Sequence, residues 1–243
     1  MNQNIKFILS PVSDILNEGV SSVKNIKHGI ETHPLSDYIL QSILIKMAGA
    51  QEQKIKCILW EMANNNHNFR YTFLNNNLSK SGCSQYKDKN DVYKFLIEQI
   101  KITSPNFDFV NTFNKLKKEI LSYSNISNTV ENSLFYYWSQ RGYTTYLDYW
   151  KTIKESYFAI DCKNILGEHL KQQYEDSFYK NRNRIAHNTR SYQQNLPSLN
   201  TLVKEDYPYE NYFIWFSLLI LIDKIFMELY KIYLEELDCI KFI

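Results

Sequence analysis

Residues 181–190, NRNRIAHNTR, hold four side chains that can carry positive charge and no acidic residue. Arg182, Arg184 and Arg190 are three of the five arginines in the 243-residue chain, and His187 lies among them. A guanidinium binds phosphate through paired hydrogen bonds, and an imidazole gives or takes a proton near neutral pH. These residue types at this spacing indicate a site for a phosphate-bearing polyanion, with acid–base chemistry at the histidine.

The charge distribution around this segment supports the same interpretation. The net charge is only +2 and the isoelectric point about 8.2, which is not the overall signature of a nucleic-acid-binding protein. Between Ser177 and Lys204, however, the chain has no Asp or Glu, while it has Lys180 and the three arginines. Positive potential is therefore concentrated locally, which favours an anionic partner at this place.

The residues before this segment predict the helix that positions it. Apolar side chains recur at helical spacing in a stripe through Leu166, Leu170, Tyr174, Phe178 and Ile185. We expect a long helix that is capped by Asp161 and ends at about Asn188, because Asn is a frequent left-handed residue after a helix.

Helix geometry decides which of these side chains share a face. Asn183 and His187 are four residues apart, so the amide could hold the imidazole in one orientation and tautomer. Arg182 and His187 are five apart and diverge by roughly 140° on an ideal helix. They can converge on one phosphate if the last turn distorts, or if two chains face each other and each supplies part of one site.

The hexapeptide RNRIAH at residues 182–187 resembles the R-x4–6-H signature of the HEPN superfamily. Those proteins are all-α, and many are metal-independent ribonucleases of antiviral, toxin–antitoxin and CRISPR-linked systems. The resemblance implies Arg182, Asn183 and His187 as the catalytic residues. Family members usually place the motif shortly before a final hydrophobic helix, as this chain does. Asn188 stands where a small residue, often Gly, frequently follows the histidine.

The chemistry that the resemblance implies is cleavage of single-stranded RNA without a metal ion. Such cleavage needs activation of the 2′-hydroxyl, neutralisation of the scissile phosphate and protonation of the leaving 5′-oxygen. One Arg and one His per chain are few groups for three tasks, so the resemblance implies a homodimer or a pairing with another HEPN chain. Lys180, Arg184 and Arg190 are the candidate RNA contacts. An antitoxin or a defence-system partner is a further implied partner.

Composition predicts an all-α fold. The chain has only 6 Gly and 5 Pro, and this scarcity of turn residues favours long helices over sandwiches or barrels. We expect one domain over residues 1–243, with a helical extension at 1–30 and a HEPN-like bundle over about 34–240. Segment 49–63, GAQEQKIKCILWEMA, is similar to an early helix of such proteins.

Periodicity and helix-start signals place the individual helices. A first helix begins at Ser10-Pro11, and a second begins at Pro34 and runs to about Asn65, either as one helix or as two hinged near Gly49. The further predicted helices cover residues 69–78, 88–102, 107–123, 129–140, 144–160, 161–188 and 209–237.

Several other functions have no support in the sequence. The remaining histidines form no metal-ligand pattern, and no cofactor is expected. The four cysteines contain no C-x-x-C pair, which is typical of reduced thiols in the cytoplasm. The apolar run at residues 212–222 is too short to span a bilayer and is expected in the core or in a dimer interface. Glu52 and Glu61 are expected to be surface charges.

Two alternatives to an enzyme remain open. A basic helix end also complements the helix dipole, so the motif could belong to a catalytically inactive HEPN-like scaffold that binds a protein or nucleotide partner. The second alternative is a helical nucleic-acid-binding regulator. Such a regulator should contain a compact helix-turn-helix with a Gly turn, and the sequence shows no such unit.

Overall fold

The computed structural model describes residues 3–26, 29, 32–74, 82–159, 161–187 and 211–241. In these ranges the chain is helical, and its only extended pairing is one isolated antiparallel bridge between Phe158 and Leu166. The predicted all-α class is confirmed. No helix in these ranges is long and apolar enough to cross a membrane.

Twelve α-helices follow one another in the described residues. They are α1 (Gln3–Leu9), α2 (Ser13–Ser22), α3 (His33–Asn65), α4 (His67–Leu74), α5 (Tyr86–Thr103), α6 (Phe109–Ser124), α7 (Ser127–Val130), α8 (Leu134–Trp138), α9 (Gln140–Thr152), α10 (Glu168–Gln172), α11 (Lys180–His187) and α12 (Tyr212–Lys241). A 3-10 turn covers Glu155–Tyr157, and a π-helical segment, Gln173–Tyr179, joins α10 to α11.

Helix α3 is continuous over 33 residues, with Pro34 in its first turn and no hinge at Gly49. Its end is fixed by the residues that follow. Arg70 donates from Nε to the carbonyl of Ala63 at 2.8 Å, so that a side chain satisfies one of the last helix carbonyls. The Asn66 side chain accepts from the amide of Phe69 and caps α4. The predicted loop after Asn65 is therefore a single-residue break.

Helix α12 is the centre of the core. Residues 211–227 are all buried, and they include the apolar run at 212–222. Helices α3, α5, α6 and α9 pack around α12. The run was expected in the core or in a dimer interface, and it lies in the core. Helices α1 and α2 pack on α3, and Ile8 of α1, Leu16 of α2 and Val12, which directly precedes α2, belong to the same hydrophobic cluster.

A buried ion pair ties α12 to α3 and α2. Lys54 Nζ lies 2.5 Å from Asp223 Oδ1, with the two side chains 4% and 5% exposed. Asp223 Oδ2 also accepts from the backbone amide of Val12 at 3.0 Å. Burial raises the pKa of Asp223 and lowers that of Lys54, and in each group this effect is larger than the attraction of its partner. The pair therefore fixes how three helices meet without adding much net stability.

Several predicted helix boundaries are wrong. The helix expected from Ser10-Pro11 begins at Ser13, and the helix expected over 144–160 runs from Gln140 to Thr152.

Two further predicted boundaries are also wrong. Asp161 does not cap a helix, because its carboxylate accepts from the amides of Lys163 and Asn164 in a tight loop. The helix that carries the motif begins later, at Glu168. The helix expected at 129–140 is interrupted after Val130, where Asn132 adopts a φ of 61° and separates α7 from α8.

The loop at 161–166 is held by a row of polar side chains on α5. The Tyr86 hydroxyl exchanges hydrogen bonds with the backbone of Leu166, at 3.2 and 3.3 Å. Asn90 donates to one backbone carbonyl of this loop and accepts from one of its amides, both at 2.9 Å. The Tyr93 hydroxyl donates to another carbonyl at 3.0 Å. Side chains at helical spacing on α5 thus set the point from which α10 and the motif helix start.

Replacing Asp223 with Ala should destabilise the protein strongly, because Lys54 would be left charged and buried without its partner. We expect a loss of about 3–5 kcal/mol in the free energy of unfolding. The double variant Lys54→Met/Asp223→Leu should recover much of that loss, since apolar residues of similar volume remove both desolvation costs. Urea unfolding followed by circular dichroism measures both values.

The exposed pair Lys151–Asp148, with side chains 73% and 72% exposed, provides the control. Asp148→Ala should change the free energy of unfolding by less than about 1 kcal/mol. An Asp223→Ala protein as stable as wild type would show that the buried pair does not constrain the packing of α2, α3 and α12.

Candidate functional site

The motif lies at the end of one continuous helical rod from Glu168 to His187. Leu170, Tyr174 and Phe178 are at most 2% exposed, and Arg182 follows them at the same four-residue spacing. In a regular α-helix such a row rotates by about 40° at each step, or roughly 120° over three steps. The wider π turns at 173–179 reduce that rotation, so Arg182 remains on the inner side of the rod.

The guanidinium of Arg182 is held by two neighbours. Its Nη2 donates to Glu52 Oε1 on α3 at 2.7 Å, and its Nη1 donates to Asn183 Oδ1 at 3.0 Å. The side chains of Arg182 and Glu52 are 17% and 15% exposed, so the pair is largely shielded from water. The Nε of Arg182 is buried and has no hydrogen-bond partner within the described chain. Glu52, expected at the surface, is thus the residue that fixes the arginine.

His187 lies at the C-terminal end of α11 and is exposed. The side chain of Arg182, in contrast, is largely shielded against α3. Because α11 is a regular helix over Lys180–His187, the two side chains leave it in directions that differ by roughly 140°. The imidazole is free of the steric cover that surrounds Arg182 and is accessible to a large substrate.

The other candidate residues have different surroundings. Asn183, expected to orient the imidazole, has its Oδ1 on Arg182. Lys180 is 63% exposed and pairs with Asp176 at 2.7 Å, one turn earlier. Arg184 is partly exposed on α11. Arg190 lies outside the described residues. Asn183 thus supports the arginine, and Arg184 is the described cation nearest in sequence to His187.

A second, fully buried cation lies behind the Arg182–Glu52 pair. Lys89 on α5 is 1% exposed and donates from Nζ to Gln51 Oε1 at 2.9 Å. Gln51 in turn donates from its amide nitrogen to the carbonyl of Leu219 on α12 at 2.7 Å. Burial lowers the pKa of Lys89 to about 8, and the negative charge of Glu52 opposes this shift. Glu52 therefore interacts favourably with two cations, one from α5 and one from α11.

Sequence reasoning missed Glu52, Gln51 and Lys89, but a signal for Gln51 exists. Gln51 and Lys54 fall within the apolar stripe of α3 that runs through Met47, Ile55 and Ile58, and polar side chains at such positions require buried partners.

Metal chemistry has no ligand set in the described residues, because no group of three or more His, Cys, Asp or Glu side chains there could hold an ion. No protein-family model matches the chain, and neither a characterised protein nor a solved structure matches it. The functional interpretation depends on the residues of α11 and their contacts.

The low pKa of Lys89 predicts how stability changes with pH. Above about pH 8 the folded chain releases a proton that the unfolded chain keeps until about 10.5. The unfolded state then binds more protons, so the Lys89 contribution to the free energy of unfolding rises with pH in this window. Comparing wild type with Lys89→Met by urea unfolding at pH 7, 8 and 9, we expect the difference to shift in favour of wild type as pH rises.

Lys87, an exposed lysine of the same helix, is the matched control. Lys87→Met should keep a constant difference from wild type over the same pH range. A constant difference for Lys89→Met as well would contradict the assignment of this titration to Lys89.

Proposed function

We propose that this chain is a metal-independent endoribonuclease of the HEPN type that cleaves single-stranded RNA. The observation that supports this most is the pairing, on one short helix, of an exposed histidine with an arginine fixed by a carboxylate. RNRIAH supplies His187 as the proton carrier and Arg182 as the phosphate-binding group. Asn183 supports the guanidinium by accepting a hydrogen bond from it.

The proposed reaction is attack of a 2′-hydroxyl on the adjacent phosphorus. His187 takes the proton from the 2′-oxygen, a bond forms between that oxygen and phosphorus, and the bond from phosphorus to the 5′-oxygen breaks. The leaving 5′-oxygen takes a proton from a protonated imidazole. The products are a 2′,3′-cyclic phosphate and a free 5′-hydroxyl. The proposed reaction therefore leaves a chemical signature at both new ends.

Arg182 can act on phosphate while it stays bound to Glu52. A guanidinium has five N–H donors, and Glu52 and Asn183 use two of them. The carboxylate fixes the plane of the guanidinium, so little reorganisation is needed when charge develops on the phosphate. The shielded position strengthens the interaction with phosphate, because water screens a partly buried charge less.

Two copies of the chain would supply a complete site. Arg182 faces α3 and His187 faces solvent, so the proposed arrangement joins the arginine of one chain with the histidine of its partner. The apolar run at 212–222 is buried within its own chain and is not available for this contact. The proposed interface is therefore formed at the α11 ends. The HEPN resemblance further supports a cytoplasmic defence or toxin–antitoxin role with a neutralising partner.

One observation favours the alternative of an inactive scaffold. Arg182 is already neutralised by Glu52 and is only 17% exposed, as expected of an arginine that stabilises packing. In a scaffold, the same pair would hold α11 against α3 and the motif would have no reaction to catalyse. The two functions differ in one measurable respect, which is cleavage that depends on His187.

His187→Ala should abolish cleavage of single-stranded RNA in the presence of EDTA and leave the fold intact, because an exposed imidazole at a helix end packs little. Arg184→Ala should weaken RNA binding and reduce its salt dependence while cleavage continues at saturating RNA. We would measure cleavage by gel, the 2′,3′-cyclic phosphate ends by mass spectrometry and the fold by circular dichroism.

An RNA with a single 2′-deoxy nucleotide at the cleavage position is the substrate control, and it should resist cleavage there. Wild-type activity in a folded His187→Ala protein would remove the catalytic role and leave the scaffold. Activity that disappears with EDTA and returns with Mg²⁺ would exclude the metal-free mechanism.

Mixing two inactive variants tests the shared site. Arg182→Ala and His187→Ala homodimers each lack one essential group at both sites. A mixed dimer regains one complete site, so equal mixing should restore about a quarter of wild-type activity if subunits exchange at random. If mixing restores nothing although sedimentation shows mixed dimers, each site is built within one chain.

A further inference from the structure

One face of α3, which we call the α3 face, is exposed or partly exposed at each of its positions named here. It contains Tyr38, Lys46, Gly49, Lys56 and Trp60. Their positions lie within about 40° of Trp60 on an ideal helix. Tyr38 is 71% exposed and Trp60 62% exposed. A methyl group added at Gly49 would meet no atom within 4 Å, so the middle of the face is open.

From Tyr38 onward, the exposed charges of α3 and α4 have one sign; the exposed Asp37, in the first turns of α3, precedes this stretch. From Tyr38 to Leu74 the chain has only two acidic residues, Glu52 and Glu61. Glu52 pairs with Arg182, and Glu61 is 7% exposed and accepts from the side chain of Asn4 at 2.8 Å. Lys46 is exposed and Lys56 partly exposed. Both acids are thus directed inward, and the accessible formal charges are positive.

Helix α4 continues the combination of exposed cationic and aromatic side chains past the end of α3. Arg70 and Tyr71 are exposed, and Tyr71 is 70% exposed. The guanidinium of Arg70 is held at the C-terminal end of α3, because it donates to the carbonyls of Ala63 and Asn64 at 2.8 and 3.4 Å. Asn64 lies one turn beyond Trp60 on α3. A cation is therefore fixed next to the end of the α3 face.

The α3 face passes beside the motif helix. The Arg182–Glu52 pair fixes α11 against α3 at residue 52, and Lys56 lies one turn further along. Trp60 is eight residues from Glu52, which corresponds to about 12 Å along the helix. A chain bound at Arg182 would therefore reach Trp60 within a few nucleotides.

We propose that the α3 face binds the single-stranded RNA that enters the candidate site, with bases stacked on Trp60 and phosphates paired with Lys46 and Lys56. This inference rests on the proposed function, because it names how the substrate of that site is recognised. Only unpaired bases offer a free π-surface to an aromatic side chain, so the aromatic residues select single strands. Stacking tolerates any base, so the contacts favour single strands without a strict sequence.

Cations among aromatic residues, without an accessible acid, fit RNA better than a protein partner. If this face bound a protein, we would expect it to have an apolar centre and charges of both signs at its rim. The α3 face instead has two widely spaced rings with Lys46, Gly49, Gln53 and Lys56 between them. Its cations match a polyanion, and its open glycine position admits a close backbone.

Trp60 is itself the probe for the experiment. The other three tryptophans, Trp138, Trp150 and Trp215, are at most 8% exposed, so a neutral quencher such as acrylamide acts mainly on Trp60. The ligand is a single-stranded 2′-O-methyl oligonucleotide, which offers bases and phosphates but has no 2′-hydroxyl to attack. Bound oligonucleotide should protect the fluorescence from quenching, and an equal-length duplex should protect it much less.

Variants of the face give the quantitative test. Trp60→Ala should weaken oligonucleotide binding about tenfold, and Trp60→Phe, which keeps a ring, should lose much less. Lys46→Glu and Lys56→Glu should weaken binding and reduce its salt dependence. Lys118→Glu, at an exposed position of α6, is the matched control and should have a small effect. Circular dichroism verifies that each variant is folded.

The outcomes separate this proposal from the nuclease. Protection of Trp60 and tenfold weaker binding by Trp60→Ala would support RNA recognition by the α3 face, even if RNA is not cleaved. A lack of cleavage would count against the proposed nuclease activity alone. Cleavage and binding that do not change in Trp60→Ala and Lys56→Glu would overturn the present inference and leave the nuclease. A Trp60→Ala variant that changes only self-association in sedimentation would overturn it too and assign the face to a protein contact.

Discussion

Burying polar side chains on one turn of α3 is the constraint on which the arrangement of the other helices depends. Gln51, Glu52 and Lys54 all turn towards the interior, and a buried polar group without a partner is costly. Their partners lie on three other helices: Gln51 pairs with a carbonyl on α12 and with Lys89 on α5, Lys54 pairs with Asp223 on α12, and Glu52 pairs with Arg182 on α11. The partner residues must lie at matching positions along their helices, so these pairs fix how the helices align with one another. Hydrophobic contacts fill the core between them.

The elements with strong periodicity were predictable. Helix α3 and helix α12 are long, apolar on their inner faces and almost free of Gly and Pro, so both appear in the sequence with the correct type and nearly correct bounds. The breaks were harder. Asp161 has the residue type of a helix cap but forms a loop, because Asn90 and Tyr93, about 70 positions away in the chain, hold that loop in place. Such distant contacts leave no local pattern.

The candidate site was predictable in its residue types but not in its surroundings. The motif and its place before the last helix follow from RNRIAH alone. Glu52 does not, because an acid on a long helix is usually a surface charge, and its role depends on how α11 packs. The inward position of Arg182 depends on the π turns, and no pattern in the sequence predicts those turns. The side chains thus indicated the chemistry, and the packing determines which of them are accessible.

The π segment also determines where the motif helix tolerates a change of length. A π turn is equivalent to an α-helix with an inserted residue, and removing one residue from 173–179 would allow ordinary α-helical pairing to resume. Leu170 and Arg182 would then be eleven positions apart, which is only about 20° from alignment on an ideal helix, so Arg182 would keep its side of the rod. Removing Asn181, just after the π segment, would instead rotate every later residue by about 100° and turn Arg182 away from Glu52. A single-codon deletion thus keeps the motif in place when it falls within the π segment and redirects every side chain of the motif when it falls two residues later.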